Sequence, residues 1–426
     1  MAETQKMKMS EIGLIPHDWE ICLVGNDFSF LRSNSYSRDQ LNYSNGSVRN
    51  IHYGDILIKF GNVTRVGKDS IPFVNTDITP VLTAKTLLKN GDVVFADTAE
   101  DEAAGKASEI QDIENSQVIS GLHTIPIRPI SRQFAPGFLG YSFNAAYYHD
   151  QLRNVMQGTK VISISKKSVS ETYLVYPSYT AEQKRIADAL SDVDSLISSL
   201  DNAVKKKSLM KQGAMQKLLT GKVRVKGFSA PWVEVELRQT GVMKSGGTPS
   251  TLVPEYWNGN INWLQSGAVQ NCYIYPSADS QKSTELGLSK SAAYLISHDS
   301  VLIALTGATC ANVGYLTFDS AANQSVVSIE PYPEYSAKFL YQLLLTKRDL
   351  ILQNRGGSAQ GGVTLNQLKG ITVTLPEDLE EQVEIAAILS AMDNEIAALE
   401  AERDKYKNIK QGMMQKLLTG QIRLPV

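Results

Sequence analysis

The chain has 426 residues, of which 42% are hydrophobic and 20% are charged, and its formal net charge is −2 at pH 7. This length predicts two or more domains with cores of their own, and the composition is that of an ordinary globular protein. The sequence contains no apolar run of the roughly 18 residues that a membrane-spanning helix needs, no apolar secretory signal in Met1–Ser10, and no disulfide or metal-ligand pattern among Cys22, Cys272 and Cys310. We therefore expect a cytoplasmic protein with no membrane association and no metal.

The near-neutral charge bears on the kind of partner. Proteins that bind nucleic acid alone usually carry a basic excess. Here the first half contains an acidic run, Glu100–Glu102, and lysines cluster at Lys205–Lys207 and Lys211. Either the partner is not nucleic acid, or other subunits supply part of the positive charge.

A short string that occurs twice organises the chain. Met215–Gly221 (Met-Gln-Lys-Leu-Leu-Thr-Gly) returns unchanged as Met414–Gly420, and at the same spacing Glu182-Gln183 matches Glu381-Gln382. Identity at one constant spacing indicates an internal duplication. Each half is then a globular region followed by a repeated helix.

In chain order, a polar lead-in precedes two globular regions. Apolar runs that follow turn residues, such as Asp55–Phe60 and Asp92–Phe95, predict strands, and Phe138–Met156 and Ser336–Gln353 predict helices. Each region is expected to be α+β, with a mixed or antiparallel sheet. The predicted boundaries are 1–15 for the lead-in, 16–179 for the first globular region, 180–222 for the central helix, 223–378 for the second globular region and 379–426 for the C-terminal helix.

The repeated helices carry a heptad pattern, which the second copy keeps from Ile385 to Leu399. A continuous helix from Glu182 to Leu219 spans roughly 55–60 Å, more than one small domain needs. We expect the two helices to bury their seams on each other as an antiparallel coiled coil with pseudo-twofold internal duplication. The alternative is two unrelated helices, each docked on its own domain. The seam of the first copy consists of Ile186, Leu190, Val193, Ile197, Leu200 and Val204.

The usual catalytic motifs are missing from the sequence. It contains no phosphate-binding loop, no Gly-x-Gly-x-x-Gly and no Asn/Asp-Pro-Pro-Tyr/Phe string of the kind that adenine methyltransferases use. The histidines lie far apart in the chain, without a partner at the spacing of a metal site or a catalytic triad. We expect no catalytic residue in this chain. The histidines are His17, His52, His123, His149 and His298.

Polar, glycine-rich segments are the candidates for recognition. The second region opens with Lys244–Ser250, in which Gly246-Gly247 permits a positive φ and close approach of a partner to the backbone. Thr and Ser side chains there can bond phosphate oxygens, although a plain strand-connecting turn explains the same residues. Trp257 and Trp263 are expected mainly in the core. Asn323-Gln324 is a pair of side-chain amides of the type that bonds adenine edges.

The chain resembles the specificity subunits of Type I restriction-modification systems over nearly its whole length. The resemblance is carried by Pro-x-x-x-x-Glu-Gln at the start of each helix, and by Lys-Gln-Gly-x-Met-Gln-Lys-Leu-Leu-Thr-Gly at Lys211–Gly221 and Lys410–Gly420. Gly246–Ser250 with Tyr256-Trp257 is similar to the start of that family's target recognition domains. The first region departs from this pattern, since no Gly-Gly-Thr-Pro string stands near Arg32–Arg38.

The resemblance implies that each of two target recognition domains reads one half of a bipartite, asymmetric site in double-stranded DNA. The helix pair then sets the half-site spacing and docks two adenine-N6 methyltransferase subunits, which motor-nuclease subunits join. S-adenosylmethionine and ATP would belong to these partners, and no cofactor to this chain.

The resemblance also gives roles to residues of this chain, through base-edge and phosphate contacts. The candidate DNA-binding residues are Arg32, Asn34, Arg38, Asn62, Arg65, Lys160 and Lys166 in the first domain, and Lys244, Thr248, Ser250, Gln265, Thr309, Asn323, Gln324, Arg355 and Gln360 in the second. The candidate spacer and partner-binding residues are Leu190, Ile197, Lys211, Gln216 and Leu218 on the first helix, and Leu389, Ile396, Lys410, Gln415 and Leu417 on the second.

Two other functions fit parts of the sequence. A coiled-coil scaffold with two protein- or ligand-binding heads suits the slightly acidic balance, and needs no methyltransferase partner. A stand-alone, two-headed DNA-binding protein is disfavoured by the neutral charge. Co-purification of a methyltransferase subunit distinguishes these from the first function.

Overall fold

The computed structural model describes residues 6–158, 160–354 and 362–424. The chain divides into two compact units, Met1–Asp201 with Glu402–Val426, and Asn202–Ala401. Each unit contains a sheet-rich domain, the first part of one long helix and the last part of the other. None of the helices in the described ranges is long and apolar enough to cross a membrane.

The first unit is built on a mixed five-stranded sheet in the order β4-β13-β9-β11-β7, in which β7 and β11 run parallel and the other neighbours antiparallel. A second sheet has the order β12-β6-β8-β5, β3 pairs with β15, and β1 with β2 form a hairpin. The strands are β1 (Met7–Ser10), β2 (Gly13–Pro16), β3 (Trp19–Leu23), β4 (Phe28–Phe30), β5 (Leu41–Asn42), β6 (Val48–Ile51), β7 (Val63–Arg65), β8 (Phe73–Val74), β9 (Val93–Ala96), β10 (Thr98–Ala99), β11 (Ala107–Gln111), β12 (Gln117–Ser120), β13 (Thr124–Pro129), β14 (Ile162–Ser163) and β15 (Tyr173–Pro177).

Short helices cover this sheet, and the first long helix begins in the same unit. Their aromatic side chains fill the core around Phe95, where Phe143 and Tyr148 are fully buried. The helices are α1 (Val24–Asp27), α2 (Tyr53–Ile58), α3 (Phe138–Ser142), α4 (Ala146–Arg153), α5 (Lys166–Ser170) and α6 (Thr180–Leu218), with a 3-10 turn at Arg38–Gln40.

The second unit repeats this topology with a different sequence. Its five-stranded sheet has the order β17-β24-β21-β22-β19, again with the last pair parallel, and β20-β18-β23 and β16-β25 form the smaller sheets. The strands are β16 (Trp232–Glu236), β17 (Gly241–Ser245), β18 (Trp257–Leu264), β19 (Cys272–Ile274), β20 (Lys282–Ser283), β21 (Val301–Ala304), β22 (Val313–Leu316), β23 (Ala321–Ala322), β24 (Val326–Pro331) and β25 (Thr372–Pro376). The helices are α7 (Glu285–Ser289), α8 (Ala337–Leu345), α9 (Arg348–Gln353), α10 (Leu365–Lys369) and α11 (Leu379–Leu417), with 3-10 turns at Leu237–Gln239, Pro254–Tyr256 and Ser266–Ala268.

The long helices α6 and α11 each have 39 residues, as the repeat predicts. Each ends at a glycine with positive φ, +67° at Gly221 and +69° at Gly420, the left-handed conformation expected of a C-terminal cap. Beyond the cap, the Val223 N–H donates to the Lys217 carbonyl at 3.2 Å, which closes the last turn.

Within each unit the two helix segments run antiparallel. In the first unit Asp194 contacts Lys410 at 2.6 Å and Asp201 contacts Arg403 at 3.4 Å, so a later position on α6 faces an earlier one on α11. Lys211 and Lys207 face Asp393 and Glu395 in the same sense in the second unit, both at 2.5 Å. Residues of the apolar seam are also part of the core of each unit. Ile186 and Leu190 belong to the core of the first unit together with Leu417, and Ile385 and Leu389 belong to the core of the second unit together with Leu219. The predicted antiparallel pair is confirmed.

A buried glutamate and a glutamine fix the start of each long helix to its domain. Gln183 accepts from the Ala135 N–H at 3.0 Å and donates to the Pro177 carbonyl at 2.8 Å, and Gln382 repeats both contacts in the second unit. Glu182 pairs with Arg423, which lies beyond the end of α11. These contacts explain the Pro-x-x-x-x-Glu-Gln string, because its proline, glutamate and glutamine all stabilise the connection between the domain and the start of the long helix, which we call the joint.

Three local predictions were wrong. Asp55–Ile58 lies in helix α2 and not in a strand, because His52 caps that helix by accepting from the Gly54 N–H at 3.2 Å and Asp55 and Ile56 share its buried face. Residues 6–15, expected as polar lead-in, belong largely to the β1-β2 hairpin. The helices expected at 138–156 and 336–353 are each broken into two short helices.

Candidate nucleic-acid interface

In the second unit, several predicted residues meet at one edge of the fold. Strands β18 and β23 run parallel with Leu264 opposite Ala322, so the residues that follow them, Gln265 and Asn323, are neighbours. The Asn323 N–H donates to the Leu264 carbonyl at 2.9 Å. Gln265 is exposed, whereas Asn323 is half-buried and its Oδ1 accepts from the Ser325 N–H.

Thr248 and Gln324 join this edge through their side chains. The Thr248 hydroxyl donates to Oε1 of Gln324, and both side chains are exposed. Gln324 keeps its amide N–H groups available, since no hydrogen bond from them is formed within the described ranges. Hydroxyl and amide groups held in this way match the donors and acceptors of base edges.

The glycine pair that precedes Thr248 is explained inside the chain. A Cβ at Gly246 would lie 2.2 Å from the Ala322 carbonyl oxygen, and a Cβ at Gly247 would lie 2.4 Å from the backbone of Ala292. Neither glycine has a positive φ. The two glycines therefore allow close approach to the domain's own backbone, and not to a partner as expected. This packing fixes the position of the loop that carries Thr248.

The tryptophans hold the same loop in place. Trp263 is buried and donates to the Gly247 carbonyl at 3.0 Å, and Trp257 donates to the Ser250 carbonyl at 3.0 Å. The two rings meet edge to face at 5.0 Å. They are structural, as the sequence favoured.

The other candidates of this unit surround the edge. Lys244 is exposed at the end of β17, with its ammonium 5.2 Å from the Tyr294 ring. Thr309 lies in the loop after β21, which reaches the edge through the Leu305 N–H bond to the Ser325 carbonyl at 2.8 Å. Ser250 is exposed beyond the glycine loop. Arg355 and Gln360 lie outside the described residues.

The first unit builds the same edge with other side chains. Three backbone hydrogen bonds recur: Asn34 to Ser120 at 2.9 Å matches Gly247 to Ala322, Gly121 to Ile51 at 2.8 Å matches Asn323 to Leu264, and Asp97 to His123 at 3.0 Å matches Leu305 to Ser325. Ser33–Ser35 therefore occupies the place of the glycine loop, although the sequences share no pattern. This loop lies within Arg32–Arg38, the stretch of the first region from which the sequence drew its candidates although it lacks the Gly-Gly-Thr-Pro string.

Of the first-unit candidates, four lie at this edge or beside it. Arg32 is exposed and Asn34 bonds the Ser120 carbonyl at 2.7 Å, and both line an open cavity of about 500 Å³. Lys166 reaches the Leu31 carbonyl at 3.4 Å. Arg38 donates twice to Asp55 at 2.9 Å, so part of its charge is committed to a buried carboxylate. Burial opposes ionisation of Asp55, but Arg38 and Lys59 outweigh it and hold the pKa of Asp55 below its ordinary value.

The remaining candidates lie elsewhere in the unit. Lys160 is exposed near β14, which pairs with β10. Asn62 faces α11, where its Oδ1 accepts from Lys410 at 3.4 Å. Arg65 ends edge strand β7 and pairs with Asp112 at 3.1 Å, at the opposite end of the sheet from Arg32. The structure therefore does not bring Asn62 and Arg65 to the edge.

Two histidines that the sequence set aside lie at this edge. His52 occupies the place of Gln265, and the Tyr53 ring lies 4.7 Å from His52 and 5.3 Å from His123. His123 also contacts Asp97 at 3.3 Å. Burial, and after it the nearby Arg38 charge, lowers the pKa of His52. The sequence did not predict this cluster because the two histidines lie far apart in the chain. The one indication available was that each follows the end of a strand, after β6 and after β12.

Comparison with known proteins agrees with this architecture. A family model described as the Type I restriction modification DNA specificity domain matches residues 230–410. A putative type I restriction enzyme specificity subunit of Methanocaldococcus jannaschii, MjaX, is 25% identical over 99% of this chain and 97% of its own length. The second half of the chain thus matches the Type I specificity domain, and the whole chain is similar to a putative specificity subunit. The MjaIX specificity subunit of the same organism is 29% identical over 38% of each chain.

Two solved structures share the fold of this chain. The S subunit from M. genitalium has a TM-score of 0.60 at 14% identity, covering 97% of this chain and 98% of its own. A chain from a structural study of complex assembly in the type I R-M system has a TM-score of 0.54 at 17% identity, covering 96% and 99%.

The candidate spacer residues of the two long helices fall into three groups. Leu190, Leu389 and Leu417 are buried in domain cores, and Ile197, Ile396 and Leu218 are half-buried. Lys211 and Lys410 pair with aspartates of the facing helix. Gln216 and Gln415 are exposed, and these two remain open to a partner.

The chemistry available at both edges is recognition by hydrogen bonds and charge. Within residues 6–158, 160–354 and 362–424, no group of three or more His, Cys, Asp or Glu side chains is placed to hold a metal ion. The edges present amides, hydroxyls and an imidazole, flanked by Arg32, Lys166 and Lys244.

Proposed function

We propose that this chain is the sequence-reading subunit of a Type I restriction-modification complex, and that each sheet-rich domain reads one half of a bipartite DNA site. One observation carries the proposal. The two domains build the same edge from the same backbone hydrogen bonds, yet the exposed side chains there are Arg32 and His123 in one and Thr248, Gln265 and Gln324 in the other. A shared scaffold with unlike side chains is suited to reading two unlike half-sites.

In this proposal the chain is non-catalytic, and adenine methylation is carried out by two methyltransferase subunits that dock on the helices. The target adenine is flipped into the pocket of that partner, which binds S-adenosylmethionine, while motor-nuclease subunits use ATP. Partners that enclose the duplex supply much of the phosphate contact, in keeping with the net charge of −2.

The test is methylome sequencing of a host that lacks adenine methylation of this type. The chain is co-expressed with a type I methyltransferase subunit from the same genome. We expect one bipartite motif with N6-methyladenine in each half, absent when either gene is omitted. A motif that is continuous, or methylation that does not depend on this chain, contradicts the proposal.

Substitutions at one edge at a time test whether each domain reads its own half-site. Replacing Thr248 and Gln324 together with alanine should change or weaken recognition of one half-site and leave the other unchanged. Replacing Arg32 and His123, the exposed side chains of the first edge, should act on the opposite half. Equal loss at both halves contradicts the assignment of one half-site to each domain.

A further inference from the structure

The loop that follows the glycine pair of the second domain carries an exposed aliphatic side chain at its tip. Leu252 is 90% exposed, more than any other large hydrophobic residue in the described ranges. It lies four residues after Thr248, whose hydroxyl is bonded to Gln324 at the recognition edge. A single exposed leucine is ordinary on a protein surface, so its meaning depends on how the loop holds it.

Both ends of this loop, Pro249–Val253, are anchored to the domain. Just before it, the Gly247 carbonyl accepts from the buried Trp263 indole at 3.0 Å. Just after it, the Tyr256 carbonyl accepts from the Thr284 N–H at 3.0 Å. The loop begins with a buried proline and is followed directly by a second proline, and each proline ring fixes the backbone φ of its residue. The tip is therefore held between two fixed ends.

Inside the loop, Ser250 holds the backbone of the tip. The Ser250 carbonyl accepts from the Trp257 indole at 3.0 Å and from the Val253 N–H at 3.4 Å. The Ser250 hydroxyl oxygen accepts from the Leu252 N–H at 3.4 Å. These bonds involve the backbone of the tip and leave the leucine side chain in solvent, where it is available to a partner.

The first domain has a shorter loop at the same place. Two residues separate Ser35 from the 3-10 turn at Arg38–Gln40, whereas five residues separate Thr248 from the 3-10 turn at Pro254–Tyr256. Both residues of the shorter loop are half-buried. The aliphatic tip is therefore an addition to the edge of the second domain, and not part of the scaffold that the two domains share.

Together with the tip, the side chains of this edge match the major-groove side of an A·T base pair. Gln324 offers amide N–H groups and an amide oxygen, which also accepts from the Thr248 hydroxyl. Adenine presents N7 and N6 to such an amide, and thymine presents its C5-methyl group to an apolar side chain. Cytosine has no methyl group, and neither does any base on its minor-groove side. Leu252 thus adds a kind of contact that hydrogen-bonding side chains cannot make.

We infer that Leu252 contacts the C5-methyl group of a thymine in the major groove of the half-site that the second domain reads, and that it selects thymine over cytosine at that position. This inference rests on the proposed function, which assigns one half-site to that domain. Because each half-site then contains a methylated adenine, its opposite strand contains at least one thymine.

The test measures methylation by the complete complex, at limiting DNA concentration, of duplexes in which each thymine of this half-site is replaced in turn by deoxyuridine. Deoxyuridine lacks only the methyl group. With the unmodified chain, one replacement should lower the rate about fourfold, the effect expected of one buried methyl group. Leu252→Ala should remove that difference between thymine and deoxyuridine. Val242→Ala, which shortens an exposed aliphatic side chain near the opposite end of β17, should keep it.

A conservative variant and a fold control accompany this test. Leu252→Met keeps an apolar side chain and should retain most of the difference, and all three variants should unfold at the temperature of the unmodified chain because the altered side chains are exposed. An equal response of the unmodified chain and Leu252→Ala to every deoxyuridine overturns the inference and leaves the proposed function standing. Slower methylation by Leu252→Ala that is independent of every methyl group indicates a wedge between bases, which also overturns it. The absence of bipartite methylation with the unmodified chain contradicts the proposed function itself.

Discussion

The Arg423 guanidinium donates to both carboxylate oxygens of Glu182, whose side chain is 1% exposed. The residues lie at opposite ends of the duplicated pattern, since Glu182 begins α6 and Arg423 follows α11. In the second unit Arg224, which follows α6, makes the same contact with Glu381 at the start of α11. Each joint is thus completed by residues from both copies of the repeat.

Replacing Arg423 with alanine should destabilise the first unit. The change leaves the buried Glu182 carboxylate without its cation, which costs about 1–3 kcal/mol of unfolding free energy. Glu182→Gln in the same background should recover part of the loss because the buried group is then neutral. Urea unfolding measures both. Lys184→Ala, which removes an exposed ion pair on the same helix, serves as control, and an equal effect there contradicts the prediction.

Replacing Gln324 with alanine should lower methylation at the cognate site by about tenfold, the magnitude of one lost base contact. The Thr248 hydroxyl then also loses its acceptor. Methylation is measured in the complete complex, on sites altered in one half at a time. Gln133→Ala, an exposed amide beyond β13 at the other end of the first domain's sheet, should leave methylation unchanged. Unchanged methylation with Gln324→Ala removes this residue from the interface.

Lengthening both helices should lengthen the recognised spacer. Seven residues added after Asp201 in α6 and after Glu402 in α11 preserve the heptad and the facing of Asp201 and Arg403. The insertion adds roughly 10 Å of helix, about three base pairs of DNA. The methylated motif reports the spacing. Lengthening α6 alone shifts the register of the ion pairs, and should lower stability instead.

His52 should make stability depend on pH below neutrality. Its folded-state pKa lies below the ordinary 6.5, so just below that pH the unfolded chain binds more protons. Stability therefore falls as the pH drops from 6.5 through the folded-state pKa. His52→Asn keeps a side-chain acceptor for the Gly54 N–H but cannot bind the proton, and should flatten this dependence. His52→Ala also loses the cap, at about 1 kcal/mol. An unchanged pH slope in His52→Asn contradicts the prediction.

The repeat and its periodicity were enough to predict the long helices. Each seam residue stands at a helical spacing from the next, and the glycines at 221 and 420 end the pattern, so local sequence carries the information. That the helices pair also follows, because two seams of equal length can be buried on each other, whereas their antiparallel direction is established by the ion pairs between them. The facing of Asp194 and Lys410 could not be predicted, because heptads fix a face but not a register.

The recognition edges were harder to predict because strand pairing assembles them from distant segments. Asn323-Gln324 and Gly246–Thr248 were recognised as polar loops, and the parallel pairing of β18 and β23 brings them together. In the first unit, no shared residue types link Ser33–Ser35 to the glycine loop. Asp55–Phe60 was mistaken for a strand because its short apolar run fits either period, and the histidine cap at His52 is an uncommon signal.

The composition of the joints bears on how such a chain can change. The pairs of Glu182 with Arg423 and of Glu381 with Arg224 lie within or beside the repeated segments, and Asp18 of the first domain adds a second carboxylate to Arg423. A recombination event that exchanges the variable domain preceding Pro177 leaves the two glutamate–arginine ion pairs intact. New specificity can therefore be acquired as a cassette, provided that the incoming domain keeps its own contacts with the joint, such as Asp18 with Arg423.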